Sequence, residues 1–392
     1  MIVKGFIIVK NFKSNLFIEF YGKNRISPVK QDISDFKKHL KRREKLYRTI
    51  ELPIITFFNK DILEVGPGGG YNTLCFFHWG ANVDLVEPNP TGCKGIVELF
   101  SKNKIDSKSW NLYKGMIEDY NTDKLYDIVI AEGLIPGINN RHQVLLKLSS
   151  LVKKGGVVVV TCQDDISSFF EYLRRLLALK LVEIKNVKVF HEKVELLSRA
   201  FNTHLDSLKY SSRFIEDWVI DVLLNPAVYG DFFSIADCIK EFDDNFEFLG
   251  SSPNMFTDYS WYKDTDFCLR DEIIDQFNRK RHLLLSLDLK ESINCIDKNI
   301  KISELCKKVK QTVKENNELL NKRVVLIIID ILEEIKILTK DLDNKITIAL
   351  DEIKELLLDD DLSEEKIASS TKITSIFGRG MQYVSMVKRF ES

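Results

Sequence analysis

No two of the seven cysteines, at positions 75, 93, 162, 238, 268, 295 and 306, form a C-x-x-C pair. That spacing excludes a paired-thiol zinc site and a close-set disulfide framework, and it suits reduced thiols in a cytosolic protein. Histidines 39, 78, 191, 204 and 282 show no ligand spacing either, so no metal is expected. Net charge is scarce: 57 Lys and Arg stand against 58 Asp and Glu. This balance argues against a protein devoted to wrapping DNA or coating RNA. Long apolar runs are missing as well. The longest, Val324–Ile329, stops at Asp330, far short of the ~20 residues a bilayer requires. The opening Met1–Lys10 is too short for a signal h-region with a cleavage site. The expectation is a soluble, cytoplasmic protein with no membrane span. Finally, residues 271–370 contain neither glycine nor proline, which excludes a loop-rich segment and points to long helices.

What is present is ample core material, 44% hydrophobic and 10% aromatic, on a 392-residue chain too long for one ordinary domain. Residues 1–27 alternate apolar and polar with a turn near 11–15, which predicts a β-hairpin appendage within residues 1–30. Helical spacing follows (Phe36, Leu40, Leu46, Ile50), and Pro53 should break it into two helices, the second leading into the strand at 61–65. Short apolar strands then alternate with amphipathic helices: 61–65, 83–87, 110–114, 126–131 and 156–161 read as strands. That alternation predicts an α/β fold, a parallel sheet doubly wound with helices on both faces. The core domain is placed at 31–270, with a helical cover at 166–242 and a helical insertion at 271–370. Residues 371–392 return as the last strand. Within the insertion, Ile331, Ile335, Leu338, Leu342, Ile346, Ala349, Ile353 and Leu356 step by three and four. They mark an apolar seam. Internal helix packing is its simplest use, and a homodimer through the insertion is the second.

Glu64-Val-Gly66-Pro67-Gly68-Gly-Gly70-Tyr71 lies directly between a strand and an apolar helix. Glycines there let the backbone turn sharply and bring amide groups to a ligand. A tight strand-to-helix turn is the bland alternative. Two features weigh against it. The next strand ends in Glu87-Pro88, where a carboxylate can accept ribose hydroxyls. The third ends in the turn Lys114–Asp119, beside where an adenine would lie. A nicotinamide-type G-x-G-x-x-G would need glycine at Tyr71, so the spacing is instead E-x-G-x-G-x-G.

With that spacing, residues 60–165 resemble the class I S-adenosylmethionine-dependent methyltransferases. The resemblance implies a seven-stranded Rossmann-like sheet whose last strand is antiparallel and inserted beside the fifth, with 246–250 and 381–387 as strands six and seven. It further implies S-adenosylmethionine as cofactor, with the loop from Glu64 through Gly66, Pro67, Gly68 and Gly70 to Tyr71 at its methionine part. Glu87 and Pro88 fall at the ribose, Met116, Ile117 and Glu118 at the adenine, and Glu132 and Gly133 beside the sulfonium. Met116 stands where many members have Asp, which leaves the adenine amino group to Glu118 or backbone.

Candidate catalytic residues are Glu132, His142 and Asp164, which follow the fourth and fifth strands at the functional edge of such a sheet. Each such residue is more often a solvated or capping group than a base. Tyr47, Tyr259, Trp261, Arg379 and Gln382 are the candidates for acceptor binding, against the alternative of core, turn or solvated face. No N-P-P-Y or D-P-P-Y segment follows the fourth strand, where 131–136 read A-E-G-L-I-P. That and the neutral charge argue against a nucleic-acid acceptor. The expected activity is O- or N-methylation of a small molecule or sugar precursor. The alternatives are a protein or peptide methyltransferase, and a non-catalytic scaffold that binds a partner through the insertion.

Overall fold

The computed structural model describes residues 16–27, 30–226, 230–261, 263, 269–290, 292–316 and 320–390. Seven strands, β1 (Asp61–Val65), β2 (Asn82–Val86), β3 (Trp110–Tyr113), β4 (Tyr126–Ala131), β5 (Val152–Gln163), β6 (Phe246–Ser252) and β7 (Met381–Lys388), form one sheet. Its order is β3-β2-β1-β4-β5-β7-β6. The first five strands are parallel, and β7 runs antiparallel between β5 and β6. This is the Rossmann-like α/β arrangement expected from the strand–helix alternation.

Strand residues buried on both faces explain why the sheet is covered on both sides. Leu63, Val129, Val158 and Val160 feed one core, and Ile62, Ile128, Val157 and Val159 feed the other. The second core is closed by α2 (Phe36–Thr49), α3 (Thr73–His78) and α4 (Pro90–Lys102), where Tyr47, Phe57, Phe76 and Trp79 interlock. Their ring centroids lie 4.9 to 6.0 Å apart. Each such aromatic pair contributes roughly 0.5–1.5 kcal/mol beyond area burial. Of the two helices expected around Pro53, only the first forms. α2 ends at Thr49, and only a single 3-10 turn, Ile54–Phe57, follows.

Eleven further α-helices are found among the described residues: α1 (Leu16–Asn24) before the sheet, then α5 (Arg141–Leu151), α6 (Phe169–Ile184), α7 (Phe190–Asp206), α8 (Ile215–Trp218), α9 (Ile235–Glu241), and, between β6 and β7, α10 (Leu269–Lys280), α11 (Ile296–Glu315), α12 (Lys322–Thr339), α13 (Asn344–Leu358) and a short α14 (Glu364–Ser369). α11 and α13 both pack on α6, and their apolar faces share one continuous core with the sheet. Ile331 and Ile335 on α12 face Ile346, Ala349 and Ile353 on α13, all buried, with the turn between the helices at 340–343. The apolar seam is thus used inside the chain.

The expected N-terminal hairpin is corrected in part. Residues 1–15 of it lie outside the described residues, and 16–24 are helical. One face of α1 decides this: Phe20 packs edge-on to Phe190, and the Tyr21 hydroxyl reaches Asp221 at 2.6 Å. Helical spacing brings both side chains onto the neighbouring helices, which strand alternation could not do.

Candidate active site

Parallel strands place their C-terminal ends at one edge of the sheet, and the site is built there. Gly66 and Gly68 take φ of +72° and +58°, in the left-handed region that a side chain would strain. The amide of Gly66 donates to Val86 O at 2.8 Å, which folds the loop back over β2. Gly68 N and Asn89 N each donate to the Glu87 carboxylate at 2.8 Å. Burial pushes Glu87 up to about 7, against the pull of these two amides. Glu64, almost fully buried, accepts from Thr73 Oγ1 at 2.6 Å. Burial, and then the neighbouring Glu132, push its carboxyl up to about 8.

A cavity of about 470 Å³ opens from this rim, in the size range of small-molecule sites. Glu64, Gly66, Pro67, Gly68, Tyr71, Glu87 and Pro88 line it, as do Met116, Ile117, Glu118, Glu132 and Gly133. Gly70 alone of the expected loop residues is off the wall: a Cβ there would meet Phe100 at 2.9 Å, so it seats the loop on α4. Glu118 Oε1 accepts from Asn140 Nδ2 at 2.6 Å. Its Oε2 is buried with no hydrogen-bond partner among the described residues, an acceptor waiting for a donor.

Glu132 is a junction. Arg43 grips it through both terminal guanidinium nitrogens, Nη1 at 3.0 Å to Oε2 and Nη2 to Oε1. Tyr47 OH donates at 2.8 Å and Asn72 Nδ2 at 3.1 Å. Burial opposes the Arg43 charge, yet Glu132, Tyr47 and Tyr383 together hold the guanidinium pKa well above its ordinary value. A carboxylate so committed is an anchor for the cavity wall.

The inner end of the cavity is walled by Glu171, Tyr172, Arg175, Trp218, Phe232 and Tyr383. Asp221 is held by Tyr21 at 2.6 Å and by Arg213 at 3.1 Å. The Glu171 carboxylate has no hydrogen bond to any described residue. Burial pushes it up to about 7, with Arg174 pulling down and Asp221 pushing up more weakly. The chain near Gly230 crosses directly over Gly137, where any Cβ would sit 2.4 Å from the Gly137 Cα.

Several acceptor and base candidates fall elsewhere. Gln382 is buried and turned away, its amide donating to Gly380 O, whereas Met381 and Tyr383 are on the wall. Strand alternation puts 381 and 383 on one face and 382 on the other, so the candidate was one residue out of frame. Asp164 is likewise fully buried away from the cavity, paired with Arg281 at 2.8 Å, while Gln163 lines the wall. His142 lies outside the cavity and meets Glu241 at 2.8 Å. Tyr47 is sealed behind Glu132. Tyr259 and Trp261 are 93% and 63% exposed and off the wall. Arg379 is spent on the carbonyls of Leu283 and Leu289, both at 2.8 Å, which tie the approach to β7. Glu171 is the residue the sequence reading missed. Its signal is a lone acid in the otherwise apolar first turn of α6, Phe169-Phe-Glu-Tyr-Leu173.

Residues 63–160 match the family described as methyltransferase domain. The chain is 28% identical over 101 residues to a ubiquinone biosynthesis O-methyltransferase of Rickettsia akari, covering 26% of this chain and 39% of that one. It is 28% identical over 120 residues to the protein of that name from Rickettsia typhi, covering 31% and 48%. The chain therefore spans less than half the length of these relatives. A solved glycopeptide N-methyltransferase complexed with S-adenosyl-L-methionine is 18% identical, covers 26% of this chain and 47% of that one, and has a TM-score of 0.25. The strand–loop–strand region around the glycine loop and Glu87 thus lies within the stretch that matches the methyltransferase domain family.

Proposed function

We propose that the chain transfers a methyl group from S-adenosylmethionine to a small molecule held in the inner end of the cavity. One observation carries this reading: a single cavity runs from the glycine loop and Glu87 to an aromatic and charged chamber ending at Glu171. When bound, S-adenosylmethionine supplies an electrophilic methyl group on a sulfonium.

The residues at the rim fit that cofactor. Gly66 and Gly68 leave room for close backbone approach at its methionine part. Glu87 keeps free lone pairs beyond those used by the two amides, and these can take ribose hydroxyls. The orphaned Glu118 Oε2 suits the amino group of adenine. The Arg43–Glu132 junction fixes the wall between cofactor rim and inner chamber.

Methyl transfer is a displacement in which positioning supplies much of the rate. The aromatic walls of Tyr172, Trp218, Phe232 and Tyr383 orient an acceptor and keep water out. Glu171 is placed to take the proton that an acceptor hydroxyl loses, a task suited to a group titrating near neutrality. The resemblance to enzymes named O-methyltransferases favours oxygen as the accepting atom.

The test is a calorimetric titration with S-adenosylhomocysteine on wild type and Glu87→Ala. Micromolar binding, weakened about 100-fold in the variant, supports the reading. No heat of binding with wild type would sink it.

A further inference from the structure

A second cleft, of about 550 Å³, lies behind the methyl-transfer cavity and shares Asp231 and Phe232 with it. Its walls come from two parts of the chain. The sheet region supplies Arg141 at the start of α5 and Lys240 on α9, and the helices between β6 and β7 supply Arg281, Lys307, Lys310 and Lys314. Three of these cations, Lys307, Lys310 and Lys314, sit three and four residues apart on α11, so they line one helix face. Like charges stacked in this way repel, and a counter-anion in the cleft relieves the repulsion.

The acids nearby do not balance the cations. Arg281 is paired with Asp164 at 2.8 Å and with Asp165 at 3.4 Å, and Lys307 shares Asp165 at 3.4 Å. Asp237 accepts from Ser234 at both N and Oγ and caps α9. Asp231 is the remaining carboxylate on the wall. Six cations thus face four carboxylates, with Asp164 included, which leaves two positive charges over. The ammonium groups of Lys240 and Lys314 have no ion pair or hydrogen bond to any described residue.

Two of the cations also hold the partition between the cavities. Lys310 donates to Gly230 O and its ammonium lies 3.4 Å from the Phe232 ring centre. Arg141 donates to Phe232 O at 3.2 Å. Burial pulls Lys310 down to about 8, a cost that an anion beside it offsets.

We propose that this cleft binds the phosphate group of a phosphorylated methyl acceptor, whose organic body passes Phe232 into the methyl-transfer cavity. A phosphate monoester carries close to two negative charges at neutral pH, which matches the surplus. Lysine ammonium groups serve it as point charges and Arg141 as a planar donor. The acceptor half of the proposal rests on the methyl-transfer reading above; the anion site does not.

The test titrates the full chain with inorganic phosphate and with phenyl phosphate at fixed ionic strength, beside S-adenosylhomocysteine. Wild type is compared with a Lys240→Gln/Lys314→Gln double variant, whose melting temperature checks its fold. Saturable phosphate binding, weakened about tenfold in the variant while S-adenosylhomocysteine affinity holds, is the expected result. Phenyl phosphate should bind more tightly than inorganic phosphate, since its ring reaches the cavity wall. Phosphate binding that is absent from wild type, or untouched by the two substitutions, overturns the site. Equal affinity for the two probes overturns the acceptor assignment and leaves a site for free phosphate. Phosphate binding without S-adenosylhomocysteine binding would instead condemn the methyl-transfer reading and the acceptor assignment with it, and leave the anion site standing.

Discussion

Arg43 on α2 and Glu132 after β4, 89 residues apart in sequence, meet in a buried two-pronged ion pair at the rim of the cavity. Removing one partner of such a pair strands the other charge, at a cost of about 3–5 kcal/mol. Glu132→Ala should therefore lower the unfolding free energy by that order in urea titrations. A paired Arg43→Met/Glu132→Leu variant should lose less. An alanine variant within about 1 kcal/mol of wild type would show that the junction does not hold the wall.

The pH dependence follows from buried groups of opposite sense. Glu64 is raised to about 8, and Glu87 and Glu171 to about 7, so the folded state holds protons that the unfolded chain has released. Their stabilising contribution is complete near pH 4.5 and is lost as pH rises through 7 to 8. His39, His204 and His282 are lowered to about 4, 3 and 4, so they favour folding increasingly as pH climbs towards 6.5. Between about pH 6.5 and 8 only the carboxyls act among these six groups. The melting temperature of the ligand-free protein should fall across that interval, and Glu64→Gln should flatten the fall. A melting temperature that climbs there would contradict the assignment of Glu64.

Glu171→Gln should leave S-adenosylhomocysteine affinity unchanged. It should lower kcat by about 10²–10⁴-fold on an acceptor identified by labelled-methyl incorporation. In wild type the rate should rise with pH to a plateau above about 7, and that limb should vanish in the variant. A variant that keeps the limb would assign the titration to another group.

Arg174 is fully buried on α6 and donates to Ile373 O at 2.6 Å and to Ile376 O at 2.7 Å, with the Phe377 ring 3.7 Å from its guanidinium. Arg174→Met keeps most of the volume but orphans both carbonyls. The expected loss is about 2–5 kcal/mol, read by urea unfolding. A loss below about 1 kcal/mol would mean that water replaces the guanidinium.

The parts legible in the sequence are those written in short stretches. Gly66, Gly68 and Glu87 are set by strand–turn–helix spacing within about one unit of the fold, and they came together as that spacing implied. Glu132 was placed at the right edge, but its role depends on Arg43, Tyr47 and Tyr383, which the chain delivers from 89, 85 and 251 residues away. No local pattern encodes those meetings. Gln382 shows a finer limit: composition located the strand, while the facing of alternate residues was settled by pairing with β5. Tyr259 and Trp261 show that aromatic content alone does not imply a pocket.

The antiparallel β7 also has a consequence in time. β6 is an edge strand whose one neighbour is β7, and β7 leaves the ribosome only after the whole run from α10 to α14. Until then the β5 edge lies open and β6 has nothing to pair with, so a nascent chain stalled within those helices carries a sticky, half-built sheet. Truncations that remove β7 should therefore be as damaging as much earlier ones, because β7 is the wedge that closes the sheet.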